Sequence, residues 1–572
     1  MAKISHYRVT NFSGGVRRDV SPTELQKNEL LDARNVVISD KGRIVTRRGS
    51  QQFGQTLTGS IENSFVFVRI VSGSAPTVEF LVNNNAATSV VSVLRANRLS
   101  TSITTASTSV VMAGAPTGFP SSGTVEIDGD LIAFTGRTGS TLTGVTGIAT
   151  SHSAGAAVNV WITLAQSGTA MEGQSGIHYA ILNNILFMTG RATNMKQFDG
   201  TTVTDVTGEP SALFLTNYRD RLYAAGDAGT GTNGDPRRVS FSNRGDGTTW
   251  TTATDFFDVE DQRGDSINAL NVFNDRLVIC KTNSVWAYDE IELKKQIDNV
   301  GAYNHKVLKE LNGVLYTFCP AGIFATNAFS AQQIGEPVRE YWNNFFPVYG
   351  GSSTKRVCTN TSAWTFQDSY LLLIGDITAP DTATDVVLEY NTRLKSWTVH
   401  QGGFTDFVHT NDFYSYKFGE GEITPRQAVF AGDSGGKMWR LYENRYVDEQ
   451  STPVFQGSDI LQDLVSDTGN PVSSRFETPL YDLTYPELWK TFGDIRFITE
   501  SGLWNVEYRV ENEDGITSYR TLGTVSKTNR VLKAPKDAVG YRMGFRISCV
   551  NTSGTSTFNG FIFENTEVTN RT

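Results

Sequence analysis

A chain of 572 residues with a net charge of −9 has room for two to four domains, or for one large repeat domain with appendages. It carries 53 Gly against 7 Met, the composition of strands and turns, and its four cysteines (Cys280, Cys319, Cys358, Cys549) lie far apart with no CxxC spacing. That argues against a disulfide framework and for reduced, buried thiols assembled in a cytosol.

Met1 to Thr10 lacks the apolar stretch of a signal peptide. No apolar run approaches the roughly 20 residues that a membrane helix needs. A soluble chain without stable membrane insertion is expected.

The charge is uneven. Residues 1–50 hold ten Lys or Arg and five Asp or Glu, a net of +5 that leaves −14 for the remainder. A basic arm on an acidic body suits an acidic surface, its own or a neighbour's. Arg17, Arg18, Arg43, Arg47 and Arg48 are therefore the candidate residues for subunit or partner docking. Val36, Val37, Ile38, Ile44 and Val45 run through the arm and argue against a solvated tail. Ser21-Pro22-Thr23-Glu24 combines an N-cap Ser, a first-turn Pro and a Glu at N3, predicting a short helix to about Ala33. A strand over 35–39, a turn at Asp40-Lys41-Gly42 and a second strand over 43–47 follow. The arm is taken as residues 1–60, and deletion of residues 1–50 is expected to impair assembly more than the fold of the C-terminal sandwich.

The string FSGGVRRDVSPTELQKNELLDARNVVISDKGRIVTRRG, from Phe12 to Gly49, resembles the opening of bacteriophage virion proteins of the short-tail nozzle type. In that family a Gly-Gly element precedes an "NEL..A.NV" stretch and a "G.(I/L)..R.G" hairpin. Further on, PRRVSFSNRGDGTTW (Pro236 to Trp250) resembles the family's "P.RV..S" strand and "GD..TW" turn.

Apolar runs at 64–70 and 78–83 predict a hairpin that starts a first blade. Residues 100–159 are dominated by Ser, Thr, Gly and Ala, yet aliphatic residues recur at strand spacing over 124–127, 131–134 and 142–145. Asp128-Gly129 is a two-residue hairpin signal. A small β module inserted in a blade is expected here, with the blades themselves occupying 61–99 and 160–445.

The clearest unit is SINALNVFNDRLVICKTNSVWAYDE, from Ser266 to Glu290. Three apolar runs separated by Asn, Asp and Ser turns make an antiparallel meander. Variants of its first turn recur with Asn184, Asp220, Asp275, Gly313 and Asp368 as markers, at intervals of 36, 55, 38 and 55 residues. Such spacing with several strands per unit predicts an irregular β-propeller of about six blades. An all-β sandwich with similar turns is the alternative. Glu336 to Trp342 predicts one short helix, and strands at 427–431 and 438–442 end the series.

Residues 446–572 read as a linker, with a possible helix over 458–464, and then an antiparallel β-sandwich. Trp504, Val506, Tyr508 and Val510, and likewise Tyr541, Met543, Phe545, Ile547 and Cys549, alternate with polar residues. That period of two gives strands with one buried and one wet face.

Catalytic motifs are missing from the sequence. His6, His152, His178, His305, His400 and His409 fall into no metal-ligand spacing, and no GxSxG or P-loop occurs. No cofactor and no enzyme activity are expected. Arg244-Gly245-Asp246 spells an adhesion tripeptide but is what a turn requires. Ser242 to Trp250 is similar to the Asp-box turns of sialidase propellers, one residue short, and such boxes are structural. The pairs Glu389 with Asp385 and Asp258 with Glu260 are the nearest approach to an acid and base.

The resemblance implies a structural protein of a phage tail, nozzle or tail hub, forming part of a DNA-ejection channel. It implies a hexameric homo-oligomeric ring, adaptor, tube and fibre proteins as neighbours, and transient non-specific passage of genomic DNA. The place implied is the virion tail, assembled in the bacterial host cytoplasm. The alternative is a glycan-binding propeller, less plausibly a glycosidase, served by Trp364, Trp397, Tyr414 and Tyr416.

Overall fold

The computed structural model describes residues 2–4, 6–70, 77–85, 89–114, 116, 118–164, 177–190, 195–226, 235–260, 264–342, 360–375, 386–401, 404–410, 428–433, 435–441, 447–449, 469–551 and 555–569. Within them the chain is all-β, with helix confined to single turns at His305–Val307, Glu336–Val338 and Arg339–Trp342. The possible helix at 458–464, Asp385, Tyr414, Tyr416 and Cys358 lie outside the described residues.

Four-stranded antiparallel meanders follow one another over 178–205, 214–258, 267–298, 309–333 and 360–401, in a β-propeller-like succession. A further meander precedes them, from Ser60–Arg69, Thr77–Asn85, Ser89–Arg98 and Ala157–Thr163. Another follows, from Phe404–Thr410, Ala428–Asp433 and Met438–Leu441. Its fourth strand, Gln51–Gln52, comes from the other end of the chain. Phe404–Thr410 packs back against Ser60–Arg69, so the last unit of the series meets the first.

The repeated turn has one geometry. Asn183 and Asn184 (φ 52° and 61°), Arg219 and Asp220 (46° and 59°), Asn274 and Asp275 (51° and 56°), and Asn312 and Gly313 (52° and 74°) each link a first strand to a second. Two successive positive φ values give the type I′ turn, whose twist matches that of the strands it joins. Asn, Asp and Gly tolerate that region, which is why the markers were visible in the sequence.

The described residues between Ser89–Arg98 and Ala157–Thr163 form short strands around a hydrophobic core that also takes in Val158 and Val160. Ser89–Arg98 pairs directly with Ala157–Thr163, so everything between them is an insertion within one meander. Gly123–Ile127 and Asp130–Phe134 form the expected hairpin across Asp128 and Gly129 (φ 49° and 94°). Val110, Val125, Ile132 and Leu142 bury its interior.

The C-terminal region is a two-layered β structure. Gly469–Glu477, Arg542–Asn551 and Trp504–Asn512 form one layer, and Asp494–Ser501 and Thr557–Glu564 the other. Alternation places Met543, Phe545, Ile547 and Cys549 inside, as expected. Rings interlock between the layers: Phe545 lies 5.0 Å from Phe561, and Trp504 lies 5.5 Å from Phe558.

The basic arm is woven into these layers. Ile44–Thr46 and Tyr7–Val9 both pair with Thr557–Glu564, and Ala2–Ile4 pairs with Thr566–Thr569. Asp32–Arg34 pairs on one edge with Ser396–Gln401 and on the other with Gly469–Glu477. One sheet of eleven strands therefore runs from the 360–401 meander through the arm into the C-terminal layers.

The predicted helix over 21–33 does not form. Ser21 N–H donates to Glu24 Oε2 (3.4 Å) and Glu24 N–H to the Ser21 carbonyl (2.9 Å), so the capping signature closes one turn only. Glu29–Leu30 then pairs in parallel with Gly15–Val16, and Asp32–Arg34 enters the long sheet. A helix this short is marginal by itself, and ladder bonds with the burial of Leu30 and Ala33 outweigh it.

The arm supplies strands to the C-terminal core, so its removal must also damage that domain. Phe12, fully buried 5.8 Å from Phe476 and 6.2 Å from Phe558, tests the point. Phe12→Ala should destabilise the C-terminal layers by about 3–5 kcal/mol. Denaturant unfolding followed through Trp504 fluorescence measures this, and an unchanged midpoint would show that the arm is dispensable there.

Candidate functional site

The arm's arginines are engaged within the chain. Arg17 pairs with Asp19 (3.0 Å) and Glu29 (3.1 Å), and Arg43 with Glu500 (2.5 Å). Arg18 pairs with Glu340 (3.1 Å) and donates to the Tyr341 hydroxyl (2.9 Å). Arg47 is buried and donates to the Asn35 side-chain oxygen (3.0 Å) and to the Arg48 carbonyl (2.9 Å), while Arg48 itself is exposed.

A separate charge cluster forms around Asp32, only 3% exposed. It accepts from Arg34 (2.9 Å), Arg475 (3.1 Å) and the Tyr341 hydroxyl (3.2 Å). Burial raises the Tyr341 pKa, which keeps that hydroxyl a donor. The cluster ties the arm, the short helix Arg339–Trp342 and the C-terminal layers together, and sequence reasoning had not singled out Asp32 or Tyr341.

A second cluster lies where the first strands of the meanders converge. The single turn His305–Val307, capped by Asn304 Oδ1 accepting from Val307 N–H (3.2 Å), fills that space. The His305 ring lies 4.7 Å from His178 and 5.6 Å from Phe214, and its Nδ1 accepts from Leu270 N–H (3.3 Å). Asn304 Nδ2 donates to the Thr361 carbonyl (2.9 Å), the Tyr370 hydroxyl to the Val307 carbonyl (2.9 Å), and Lys306 to the Glu62 carbonyl. Glu62, His178, Phe214, Leu270 and Thr361 lie on the first strands of five different meanders. An Nδ1 that accepts a hydrogen bond belongs to a neutral imidazole. Burial, with Lys309 and Lys306 nearby, lowers the His305 pKa to about 3, and burial also lowers that of His178.

The remaining candidates resolve into structural roles. Asp258 is held by Arg238 at 2.9 and 3.2 Å, and Glu260 lies 3.8 Å from Arg237, so this pair is neutralised by arginines. Glu389 accepts from the Ser369 hydroxyl (2.7 Å) and lies 2.6 Å from His400 Nε2. The serine hydroxyl thus donates to a carboxylate and not to an imidazole, so the three groups do not stand in the serine–histidine–carboxylate order of a triad. Asp246 accepts from Thr248 N–H (2.8 Å) and the Thr249 hydroxyl (2.6 Å), while Trp250 donates to the Gly247 carbonyl (3.0 Å), which makes the turn a self-contained box. Arg244 is bound to Glu290 at 2.8 Å, so the adhesion tripeptide is tied down.

Trp397 is not an exposed aromatic: it is 1% exposed and donates to the Ile334 carbonyl (2.8 Å). Trp364 is half-buried beneath Lys309, whose Nζ lies 4.2 Å from its ring centre. Cys280, Cys319 and Cys549 are free and buried, and burial together with Cys319 pushes the Cys280 thiol up to about 12. Among the described residues no group of His, Cys, Asp and Glu could hold a metal ion, and no helix is long and apolar enough to cross a membrane.

No protein-family model and no curated protein matches the chain. Among solved structures it is similar to the computationally designed Ika8 protein, at 12% identity and a TM-score of 0.34 over 69% of this chain and 99% of that one. It is similar to YCF48 bound to D1 peptide, at 9% identity and a TM-score of 0.31 over 61% and 96%. It is also similar to exo-beta-1,3-galactanase from Phanerochaete chrysosporium with galactose, at 10% identity and a TM-score of 0.21 over 68% and 96%. At these scores the likenesses carry no argument about function. The chain is defined by its own topology as an all-β protein of serial meanders with an appended two-layered β region.

The histidine pair makes stability pH-dependent. Its folded pKa values lie below the ordinary 6.5, so below that value the unfolded chain binds more protons than the folded one. The contribution is complete above pH 6.5 and is lost as the pH falls toward about 3. Denaturant midpoints measured across this window should fall with acidification, and His305→Phe should flatten the slope. An equal slope in that variant would place the dependence elsewhere.

Proposed function

We propose that the chain is a non-enzymatic structural component of a short-tailed phage tail, the nozzle or tail hub, repeated as a hexameric ring. Its meanders are the blades of one propeller, seven rather than about six, with Gln51–Gln52 completing the last blade. The observation that carries this reading is the role of the stretch from Phe12 to Gly49. The segment that resembles the nozzle family's opening is the one whose strands bind the meanders to the C-terminal layers.

The filled axis supports a structural role over a catalytic one. The space where a propeller glycosidase would gather arginines, a nucleophile and acids is taken by Asn304 to Val307, with their hydrogen bonds to the surrounding strands. For the same reason DNA would pass between copies around the ring axis, not through this propeller. The glycan-binding alternative loses Trp397 to the core.

Cryo-EM of assembled particles tests the reading directly: six copies in a ring on the tail axis are expected, and a peripheral appendage or single copy per virion would overturn it. A charge argument adds a second test. With several of the arm's arginines paired to carboxylates and −14 on the rest of the chain, a conduit of such subunits repels phosphate. Gel-shift titration of the isolated protein at about 0.15 M salt should show DNA affinity no tighter than roughly 10⁻⁶ M. Tighter binding would mean a lumen that grips its cargo.

A further inference from the structure

Three meanders join their third and fourth strands by the same four-residue loop. The loops are 199–202, 289–292 and 327–330, between the paired residues Phe198 and Val203, Tyr288 and Leu293, and Thr326 and Ala331. In each, the first side chain accepts from the third and fourth N–H groups. Asp199 takes those of Thr201 and Thr202 (2.8 and 2.9 Å). Asp289 takes those of Ile291 and Glu292 (3.1 and 2.9 Å), and Asn327 those of Phe329 and Ser330 (3.0 and 2.8 Å). The second residue has a positive φ every time: 92° at Gly200, 74° at Glu290 and 68° at Ala328.

The first loop uses what this geometry asks for, a glycine at the left-handed position and an exposed polar residue, Thr201, after it. The other two lie in consecutive meanders and depart from it in both respects. Glu290 and Ala328 carry a Cβ into the left-handed region, where it is strained, and the residues after them are Ile291, 93% exposed, and Phe329, 47% exposed. One exposed apolar side chain is ordinary, but these two belong to loops that share a cleft. Its volume is about 190 Å³, and Asp289 and Glu292 of one loop and Phe329 of the other line it. That is below the roughly 300–1,000 Å³ of a drug-sized ligand site, so it has room for a single side chain.

The polar lining is partly committed. Asp289 serves the N–H groups of its own loop, and Lys294 lies 3.9 Å from Glu292. Arg276 stands 5.2 Å above the Phe329 ring and within electrostatic reach of Asp289, yet its guanidinium makes no hydrogen bond among the described residues. The Gln296 amide, also in the lining, makes none either.

We propose that this cleft docks an extended segment of a partner protein that carries Asp or Glu beside apolar side chains. A guanidinium with free N–H groups takes a carboxylate bidentately. A primary amide both donates and accepts, which matches a peptide group. Ile291 and Phe329 supply the apolar contacts that keep water from such a charged pair. The loop at 289–292 is held ready, because Arg219 of the preceding meander donates to the Asp289 carbonyl (3.0 Å) and Arg244 pairs with Glu290 (2.8 Å). Pre-ordered loops leave less entropy to lose on binding. The docking chemistry is independent of the chain's place in a virion.

Selection of a random linear decapeptide library on the full-length chain tests the site. Enriched peptides should share an acidic residue with an apolar neighbour, and converting that acid to its amide should weaken binding about tenfold or more. Arg276→Gln should have the same effect. Ile291→Thr combined with Phe329→Thr copies the native Thr201, so the thermal midpoint should hold while peptide binding falls by a similar factor. Absence of enriched peptides, enrichment without an acidic residue, or binding that survives these substitutions would overturn the proposal. Self-association of the native chain that the double variant abolishes would assign the cleft to a second copy, and binding of a neutral oligosaccharide abolished in the same way would assign it to a sugar. Either result also overturns it.

Discussion

The junction between the meanders and the C-terminal layers depends on a three-residue strand, Asp32–Arg34, having a partner on each edge. Arg34 stands opposite Val399 on one side and Arg475 on the other, in parallel and antiparallel ladders respectively. Without it the eleven-stranded sheet divides into a meander and a C-terminal layer, each with a bare edge. The pairing also buries a carboxylate, and a buried charge persists only when it is paired and hydrogen-bonded. Asp32 has Arg34, Arg475 and the Tyr341 hydroxyl, drawn from three separate parts of the chain. The strand and its charge cluster thus fix the same junction twice, once by backbone and once by side chain.

The elements that were legible in the sequence are those set by neighbours in the chain. Type I′ turns announce themselves as Asn-Asn, Asn-Asp or Asn-Gly because few residues accept positive φ, and Asp128-Gly129 did so for the inserted hairpin. Period-two patterning gave the buried faces of Trp504–Asn512 and Arg542–Asn551. The helix predicted over 21–33 failed for the converse reason. Its capping residues behave as they should for one turn, and then strand partners from elsewhere take the chain.

The candidate site was hidden by the same physics. Arg43 meets Glu500 across 457 residues of sequence, and Arg475 meets Asp32 across 443. No local pattern marks such partners, so composition revealed a basic arm without revealing that its counter-charges lay in the same chain. His178 and His305 likewise stood in the sequence as two unrelated histidines. Their significance comes from convergence: five first strands reach one turn only after the series of meanders has come round upon itself.

Strand direction then distributes what is left for contact with other molecules. In an antiparallel meander the turns after the first and third strands fall on one face, while the joints between meanders fall on the other. The inserted module sits at a third-to-fourth joint, between Ser89–Arg98 and Ala157–Thr163. Ile291, 93% exposed, occupies the corresponding joint of the 267–298 meander, and Phe329, with Arg276 5.2 Å above its ring, that of the 309–333 meander. The opposite face carries the described inter-meander joints, including the turn His305–Val307 at which the first strands converge. One face is thereby committed to holding the fold together. The other carries the sequence excursions that the fold itself does not require.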